Sequence, residues 1–453
     1  MTSALKDIIV IGGSHAGLFS AIALQNAGFR VRVFERAPEI LRGTGAGIRV
    51  QPLLADILWR EARIDLEQFA TRTRFDRHLA PRRESAQNRV IFEQTEDGHF
   101  ASWGSLYRAL HARFGAENYF CGESCIGTRE HADKVEVSFA SGRTETADLV
   151  VFADGISSTG RAALNPAAGL QYAGYVAWRG LVPESVLTAE TKALLDEARI
   201  FIVVGLSHVI LYPVPGEAGL GAEGGRLINA IWYRNVAAGA EIESLMTDRE
   251  GVHRPTSIRA GLLQACHVEQ FQRDVAAELP PAAVDVLSRA EPFVTTINDV
   301  EPSRMVFGRR VLVGDAAAAT RPHVSASTAR AMRAAWGLAD ALRDPGGARD
   351  WAANLAAWER EHVAIAQDFT LRGRMIGRRL QVDGTFVPGD PELTQITMPV
   401  ARGGWPGKQG WQGYQDHRHR PSAESLRSQR CRSRIPRALP AYAGRAPVRV
   451  VWR

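Results

Sequence analysis

The stretch DIIVIGGSHAGLFSAIALQNAGFRVRVFE, residues 7–35, decides the fold of this chain. It opens with an apolar run that ends in glycines, which predicts a buried strand. The next segment, from His15 to Ala27, has one apolar face and predicts a helix that Gly28 ends. The alternating RVRVFE predicts a second strand that ends at Glu35. A strand–helix–strand unit of about 30 residues is typical of an α/β dinucleotide-binding domain.

The turn between the first strand and the helix carries a glycine-rich fingerprint made of Gly12, Gly13, Ser14, His15, Ala16 and Gly17. Ser14 takes the place of the middle glycine of the strict GxGxxG pattern. Gly12 permits the tight turn, Gly17 lets helix and strand pack closely, and the amides of the helix N-terminus face a pyrophosphate. Glu35 follows Gly17 by 18 residues and can accept hydrogen bonds from the ribose hydroxyls of an adenosine. A strict match at Gly219–Gly224 is rejected, because it follows a turn and precedes a strand.

Two later segments share the buried-strand pattern, DLVVFADG at 148–155 and RVLVGDAA at 310–317. Between them, aromatic and β-branched runs broken by Pro-Gly turns predict a mainly antiparallel sheet. We therefore expect a Rossmann-like α/β cofactor domain, an inserted β-sheet substrate domain and C-terminal helices. The first part of the cofactor domain is expected at 1–171, with room for a strand segment of the substrate domain. The substrate domain is expected at 172–300, and the second part of the cofactor domain with the C-terminal helices at 301–390. Residues 391–453 are expected to form a tail.

The C-terminal helices are predicted from apolar residues at helical spacing. One stripe runs from Met332 to Ala339, and a second runs from Trp351 to Phe369. His362 belongs to the second stripe, so we expect a packed histidine there rather than a ligand.

Composition indicates an ordinary globular protein, with 453 residues of which 45% are apolar and 23% charged. The sequence has no run of 18 apolar residues and no signal-peptide pattern at its start, so we expect a cytoplasmic protein. Four cysteines without metal-ligand spacing predict neither a disulfide framework nor a metal site.

The positive charge is concentrated at the C-terminus. Residues 401–453 hold 12 Lys and Arg against Asp416 and Glu424, a balance of +10, so the total of +6 leaves −4 for residues 1–400. A basic tail can bind nucleic acid or an anionic membrane, but without a recognition motif we expect neither partner. We expect the tail to be disordered. Its Arg-, Trp- and Gly-containing composition is typical of out-of-frame translation of GC-rich DNA, and a disordered functional tail is the alternative.

Three further segments follow predicted strands in a fixed order. The first is Arg42–Ile48, which contains Gly45 and Gly47. The second is Ala153–Arg161, which contains Asp154. The third is Gly314–Ala317, which contains Asp315 and is followed by Arg321-Pro322-His323. Together with the fingerprint, this set resembles the FAD-dependent aromatic hydroxylases of the para-hydroxybenzoate hydroxylase type. YAGYVAWRG at 172–180 and YPVPG at 212–216 resemble the 2,6-dihydroxypyridine 3-hydroxylase branch of that family.

The resemblance implies an FAD whose adenine half lies along Gly12–Gly17, Glu35 and Arg36. It implies that Asp154 belongs to a motif serving both FAD and NAD(P)H, and that Asp315 binds the ribitol chain. NAD(P)H is then a co-substrate that reduces the flavin, O2 adds at the flavin C4a position, and the hydroperoxide hydroxylates a small hydroxylated aromatic or N-heteroaromatic ring such as a dihydroxypyridine. A homodimer is left open.

Ring hydroxylation needs a base or a hydrogen-bond partner near the ring hydroxyl. The catalytic candidates are Tyr212 and His323; a core tyrosine and a loop-bracing histidine are the alternatives. Aromatic walls are expected from Trp178, Trp232 and Tyr233. Arg179 is left open between attracting NAD(P)H phosphates and bridging the domains.

The chain departs from the family in the loop after Pro322, where Ser325 and Ser327 stand at usual glycine positions. A side chain there costs about 1–2 kcal/mol if φ must be positive. Ser325, Ser327 or Thr328 is expected to cap the following helix instead. Trp103 stands where many members have arginine, and Arg333-Ala334 replaces an acidic pair.

Two alternatives remain at this point. An NAD(P)-dependent dehydrogenase uses the same fingerprint, although the Asp154 and Asp315 motifs argue against it. The altered loop also leaves open an inactive or uncoupled flavoprotein that binds ligand.

Overall fold

The computed structural model describes residues 5–41, 47–216, 225–343, 350–390 and 392. The strands of this part of the chain are β1 (Asp7–Ile11), β2 (Arg30–Glu35), β3 (Gly47–Val50), β4 (Ala70–Leu79), β5 (Val90–Ser102), β6 (Tyr119–Cys121), β7 (Cys125–Glu130), β8 (Val135–Phe139), β9 (Thr144–Ala147), β10 (Leu149–Phe152), β11 (Gln171–Pro183), β12 (Ala198–Val204), β13 (Ser207–Pro215), β14 (Arg226–Asn235), β15 (Ser257–Ile258), β16 (Phe293–Asp299), β17 (Val306–Phe307) and β18 (Arg310–Leu312).

The α-helices are α1 (His15–Asn26), α2 (Pro52–Ile57), α3 (Trp103–Phe114), α4 (Thr159–Leu164), α5 (Ala189–Leu195), α6 (Ala240–Leu245), α7 (Ala265–Glu278), α8 (Pro281–Leu287), α9 (Ser327–Leu342) and α10 (Trp351–Arg378). Short 3-10 turns lie at Gly314–Ala316 and Pro322–Val324, and a π-helical turn, Arg379–Asp383, continues α10.

The predicted strand–helix–strand unit is the centre of a six-stranded sheet with the order β17-β18-β10-β1-β2-β6. β1 pairs in parallel with β2 and β10, β10 with β18, and β2 with β6. α1 begins at His15 and ends at Asn26. Gly28, with a φ of +95°, then turns the chain back into β2. Helices cover this sheet, so its central strands are fully buried. The Rossmann-like prediction is confirmed.

A nine-stranded sheet forms the second layer, in the order β15-β16-β11-β14-β13-β12-β4-β5-β3. Its pairs are antiparallel except for β12 with β4, which confirms the mainly antiparallel prediction. β3, β4 and β5 lie before residue 171, so this sheet draws three strands from the part of the chain where the sequence predicts room for a strand segment. A third, three-stranded sheet has the order β7-β8-β9.

The two faces of the nine-stranded sheet have different neighbours. Val209 and Leu211 of β13 belong to an apolar cluster with Phe271 of α7, on one face. Tyr212 and Val214, which point the other way, belong to a separate cluster on the opposite face. Alternation along a strand places successive side chains on opposite faces. The second face therefore remains available for a binding site.

Both C-terminal helices form as predicted. α9 packs against α1, and α10 packs against α9. His362 is buried in α10, and desolvation lowers its pKa to about 4, so it is a packed histidine as expected. In the described part of the chain, no helix combines the length and the apolar character needed to cross a bilayer.

Candidate active site

The fingerprint turn is tightly built. Gly12 has a φ of +96°, and a Cβ there would lie 2.5 Å from the Ala153 carbonyl oxygen. A Cβ on Gly17 would lie 1.8 Å from the Gly12 carbonyl oxygen. Ser14 precedes α1 without making a side-chain capping hydrogen bond. The N-terminal amides of α1 therefore keep their donors available for an anion such as a pyrophosphate.

His15 begins α1 as a neutral side chain. Its ring stacks on Trp103 at a centroid distance of 4.7 Å, and its Nε2 lies 3.0 Å from the Trp103 carbonyl oxygen. Burial lowers the pKa of His15 to about 4, against a smaller opposite effect of that hydrogen bond. Trp103 thus braces the fingerprint helix by packing against its first residue.

Glu35 is buried at the end of β2 and already accepts two backbone hydrogen bonds. The Gly13 amide donates at 2.7 Å and the Ala37 amide at 2.9 Å, one to each carboxylate oxygen. Each oxygen keeps a second lone pair, which can accept from a ribose hydroxyl. Arg36 follows at the exposed edge of the same cavity.

Asp154 is bound to the start of α4. Its carboxylate accepts from the Ser158 hydroxyl at 2.5 Å and from the Thr159 and Gly160 amides at 2.8 and 3.2 Å. These bonds order the strand-to-helix turn after β10. A direct contact of Asp154 with a cofactor stays a prediction.

Asp315 lies on the 3-10 turn after β18, and two buried arginines hold that turn. Arg161 donates to the carbonyl oxygens of Asp315 and Ala316 at 3.1 and 3.2 Å. Arg330 of α9 donates to the Ala318 carbonyl oxygen and lies 3.9 Å from the Asp315 carboxylate. The role of these two side chains was not predicted from the sequence, because nothing in the sequence pattern indicates that Arg161 and Arg330 are buried.

These elements enclose a cofactor cavity of about 1030 Å³. Its lining includes eight of the predicted cofactor residues, Gly12, Ser14, His15, Ala16, Glu35, Arg36, Asp154 and Asp315. Gly13 and Gly17 lie inside the turn rather than on the wall. Gly45 falls outside the described residues. An uncapped helix N-terminus beside a buried ribose acceptor fits the charge and shape of FAD.

In the loop after Pro322, the residue that precedes α9 is not the one that the sequence predicts. The residue that precedes α9 is Ala326, and it makes no side-chain capping bond, so the expectation that Ser325, Ser327 or Thr328 caps this helix is wrong. Ser327 is already the first helical residue. Ser325 has a φ of +50°, the left-handed conformation that the glycine pattern predicts, and its carbonyl oxygen accepts from Gln51 at 3.0 Å.

A second cavity, of about 510 Å³, lies between the nine-stranded sheet, the loop at 322–325 and the segment after α10. We call it the ring cavity. His323 lines it and lies 2.7 Å from the Tyr175 hydroxyl through its Nε2. Desolvation and the neighbouring Arg321 lower the pKa of His323 to about 3, so it is neutral at physiological pH. A neutral imidazole can hold a ring hydroxyl by a hydrogen bond, but it is a weak base.

Tyr212 lies on the same sheet face but lines neither cavity. It is buried against Phe100, at a centroid distance of 4.3 Å, and a Cβ on Gly47 would lie 2.3 Å from its ring. Burial raises the pKa of Tyr212. Its catalytic role stays a prediction, as does a cofactor contact of Gly47.

The expected aromatic walls are corrected in part. Trp178 and Trp232 are cross-strand neighbours that pack against Phe271 on the opposite face, so they do not wall the ring cavity. Tyr233 follows Trp232 and therefore points to the other side, where it lines the cavity. Burial raises the pKa of Tyr233, and the nearby charge of Arg179 opposes that rise. The two roles considered for Arg179 stay predictions.

The ring cavity also contains charges that sequence analysis missed. Arg199 contacts Asp76 with an Nε–Oδ1 distance of 3.0 Å, and Arg49 pairs with Glu96. Burial alone would raise the pKa of Asp76, but Arg199 and His78 outweigh it and hold that pKa well below its usual range. The alternating ATRTRFDRHL of β4 was the available signal, since it predicts a strand with one polar face.

Comparisons with known proteins identify the family. Residues 172–299 match a family model described as FAD binding domain-like. The chain is 32% identical over 393 residues to the 2,6-dihydroxypyridine 3-monooxygenase of Paenarthrobacter nicotinovorans, with 86% of this chain and 96% of that protein covered. It is 30% identical over 387 residues to an FAD-dependent urate hydroxylase of Klebsiella pneumoniae, with 81% and 88% covered.

A solved structure agrees with these sequence relatives. The 2,6-dihydroxypyridine-3-hydroxylase of Arthrobacter nicotinovorans superposes with a TM-score of 0.79 at 31% identity, covering 86% of this chain and 96% of that one. The relatives support the hydroxylase interpretation and not the dehydrogenase or the inactive flavoprotein. The chain therefore belongs to the FAD-dependent aromatic hydroxylases, a family of flavoprotein monooxygenases.

Proposed function

We propose that this chain uses NAD(P)H and O2 to hydroxylate a small, hydroxylated N-heteroaromatic ring that carries no carboxylate, such as a dihydroxypyridine. FAD held by the cofactor cavity would supply the redox chemistry, taking reducing equivalents from NAD(P)H and activating O2. The relative from Paenarthrobacter nicotinovorans, named for a dihydroxypyridine, supports this substrate class.

One observation carries the proposal: the cations of the ring cavity are already paired. Among its described lining residues the cations are Arg49 and Arg199, which contact Glu96 and Asp76. The lining carboxylates are Asp76, Glu96, Asp97 and Asp390. A substrate carboxylate would enter this cavity without a free guanidinium and would meet like charge. An uncharged ring with hydroxyl or ring-nitrogen groups meets no such penalty.

The side chains of this chain would position the ring and exclude water. His323, neutral and bonded to Tyr175, would hold a ring hydroxyl by a hydrogen bond. Phe386 covers the cavity by stacking on Phe201 at a centroid distance of 5.2 Å. A dry site is needed because water shortens the life of the activated oxygen species.

The test is a substrate screen on the FAD-loaded protein. NADH and NADPH consumption is measured with 2,6-dihydroxypyridine, salicylate and 4-hydroxybenzoate, and the products are analysed by mass spectrometry under ¹⁸O2. We expect the dihydroxypyridine to stimulate consumption and to gain one labelled oxygen, with the two benzoates inactive. Hydroxylation of either benzoate at a comparable kcat/KM would overturn the proposed substrate class. A labelled product also separates this reaction from a dehydrogenase, which inserts no oxygen.

A further inference from the structure

His208 is a fully buried histidine in the wall of the ring cavity. It lies near the start of β13 and is 0% exposed. Its ring stacks between Phe201, at a centroid distance of 5.2 Å, and Tyr233, at 4.5 Å. The two aromatic rings fix the plane of the imidazole, so its two nitrogens point in defined directions.

Gln381 binds one of those nitrogens. Its side-chain Nε2 lies 2.9 Å from His208 Nδ1. Gln381 belongs to the π-helical turn after α10, and Asn235 donates to its backbone carbonyl oxygen at 2.8 Å. An amide nitrogen only donates, so Nδ1 must accept. A neutral imidazole then carries its hydrogen on Nε2.

His208 is neutral in this environment. Burial, together with the nearby His323, lowers its pKa well below the usual histidine value. Its Nε2 has no hydrogen-bond partner in the described part of the chain. An unpaired buried donor is costly, about 1–3 kcal/mol, unless a ligand supplies the acceptor. An acceptor that arrives with the substrate would satisfy this N–H and remove that penalty.

We propose that Gln381 is a positioning residue that fixes the tautomer of His208, and that His208 Nε2–H donates to an oxygen or ring nitrogen of the heteroaromatic substrate. This inference rests on the proposed function, which it deepens by naming the donor that recognises the ring. His323 faces the same space, at a ring-centroid distance of 5.4 Å from His208. The cavity then offers two histidines to a ring that carries two polar groups.

Other titratable groups surround His208. Tyr233 stacks on it from β14, and His323 approaches it from the loop before α9. The remaining charged or titratable groups that line the cavity are Arg49, Asp76, His78, Glu96, Asp97, Arg199 and Asp390. All of them are present in the variants below, so a comparison of variant with wild type at each pH isolates the change at Gln381.

Gln381→Glu tests the tautomer, because a carboxylate only accepts hydrogen bonds. His208 must then carry its hydrogen on Nδ1, which leaves a lone pair on Nε2 facing the substrate acceptor. We expect the Kd for 2,6-dihydroxypyridine, measured from the change in flavin absorbance without NAD(P)H, to rise about tenfold at pH 8. The new carboxylate raises the histidine pKa, so an imidazolium with both hydrogens forms as the pH falls. The ratio of variant Kd to wild-type Kd should therefore return toward one near pH 6.

Two matched variants control the experiment. Gln367→Glu adds the same charge to α10 at an exposed position away from the cavity, and its Kd should stay within about twofold of wild type at both pH values. Gln381→Met removes the bond to Nδ1 without adding charge, so its Kd should rise without the recovery at low pH. Circular dichroism confirms that each variant is folded.

The tautomer itself is measured by ¹⁵N NMR on histidine-labelled protein, with the His208 signals assigned from a His208→Phe variant. Hydrogen on Nε2 in wild type and on Nδ1 in Gln381→Glu is the expected result. Hydrogen on Nδ1 in wild type would overturn the inference, and so would an unchanged Kd in Gln381→Glu. A wild-type protein that binds no hydroxypyridine would contradict the proposed function and the proposed hydrogen bond from His208 to the substrate. The NMR signals would still decide whether Gln381 fixes the tautomer.

Discussion

At the scale of single residues, Ser325 carries backbone strain. Its φ of +50° costs an L-residue about 1–2 kcal/mol, whereas glycine adopts it freely but loses more entropy on folding. We expect Ser325→Gly to raise the free energy of unfolding by about 0.5–1 kcal/mol. Urea denaturation of the FAD-loaded protein measures it.

Ser327→Gly is the matched control for that prediction. Ser327 is the first residue of α9 and has no positive φ, so glycine relieves no strain there and lowers stability by up to about 1 kcal/mol. Equal gains in both variants would show that the strain at Ser325 is not what limits stability.

The residues that sequence analysis placed correctly are those with a local signature. Gly12 and Glu35 follow from the strand–turn–helix pattern, because the fingerprint and its acidic partner lie within one short unit. Trp178 and Trp232 were misplaced, since the sequence does not say which face of a strand meets α7. Because neighbours on a strand point to opposite faces, the sequence does show that Trp232 and Tyr233 cannot both line one cavity.

At the scale of elements, the segment after α10 closes the ring cavity. Phe386 contacts both Phe201 and His78, with centroid distances of 5.2 and 6.3 Å. Phe386→Ala should admit water and raise the hydrogen peroxide formed per NAD(P)H consumed by at least about twofold. Peroxide and hydroxylated product are measured side by side with 2,6-dihydroxypyridine.

Val382→Ala provides the comparison, because Val382 lies in the same segment but is exposed and does not line the cavity. It should leave the peroxide yield unchanged. If Phe386→Ala retained the wild-type yield, the segment after α10 would not be what keeps the cavity dry.

The elements that build the ring cavity could not be assigned from sequence. β4 pairs in parallel with β12, more than 100 residues later, and β3 joins the sheet edge through β5. Local periodicity indicates that a strand exists, whereas its partner depends on the whole fold. The βαβ unit was predictable because its partners are close in sequence.

At the scale of the whole molecule, several histidines are buried in the neutral form. The pKa values of His15, His323 and His362 are lowered to about 4, 3 and 4, mainly by desolvation. The unfolded chain, with ordinary histidine pKa values near 6.5, binds more protons below that pH, so stability falls as the pH drops from 6.5 toward 4. At pH 5.5 each of these histidines lowers the free energy of unfolding by about 1.4 kcal/mol.

Melting temperatures between pH 7.5 and 5 measure this dependence. His362→Gln should make the melting temperature depend less steeply on pH, because it removes one of the buried groups that must stay neutral. The exposed His131→Gln should leave the slope unchanged. A melting temperature that stays constant down to pH 5 would contradict the neutral state of these histidines.

The C-terminal residues 393–453 lie outside the described part of the chain, so the predictions about the tail remain open. Truncation after Val400 should leave the melting temperature and the flavin content unchanged, because the three sheets, the two cavities and α10 are built from residues before 391. The removed residues carry a net charge of +10 and the remaining chain a net charge of −4, so isoelectric focusing confirms the truncation. A melting temperature lower by several degrees after truncation would show that the tail packs against the folded part, and a loss of flavin would place that contact near the cofactor cavity.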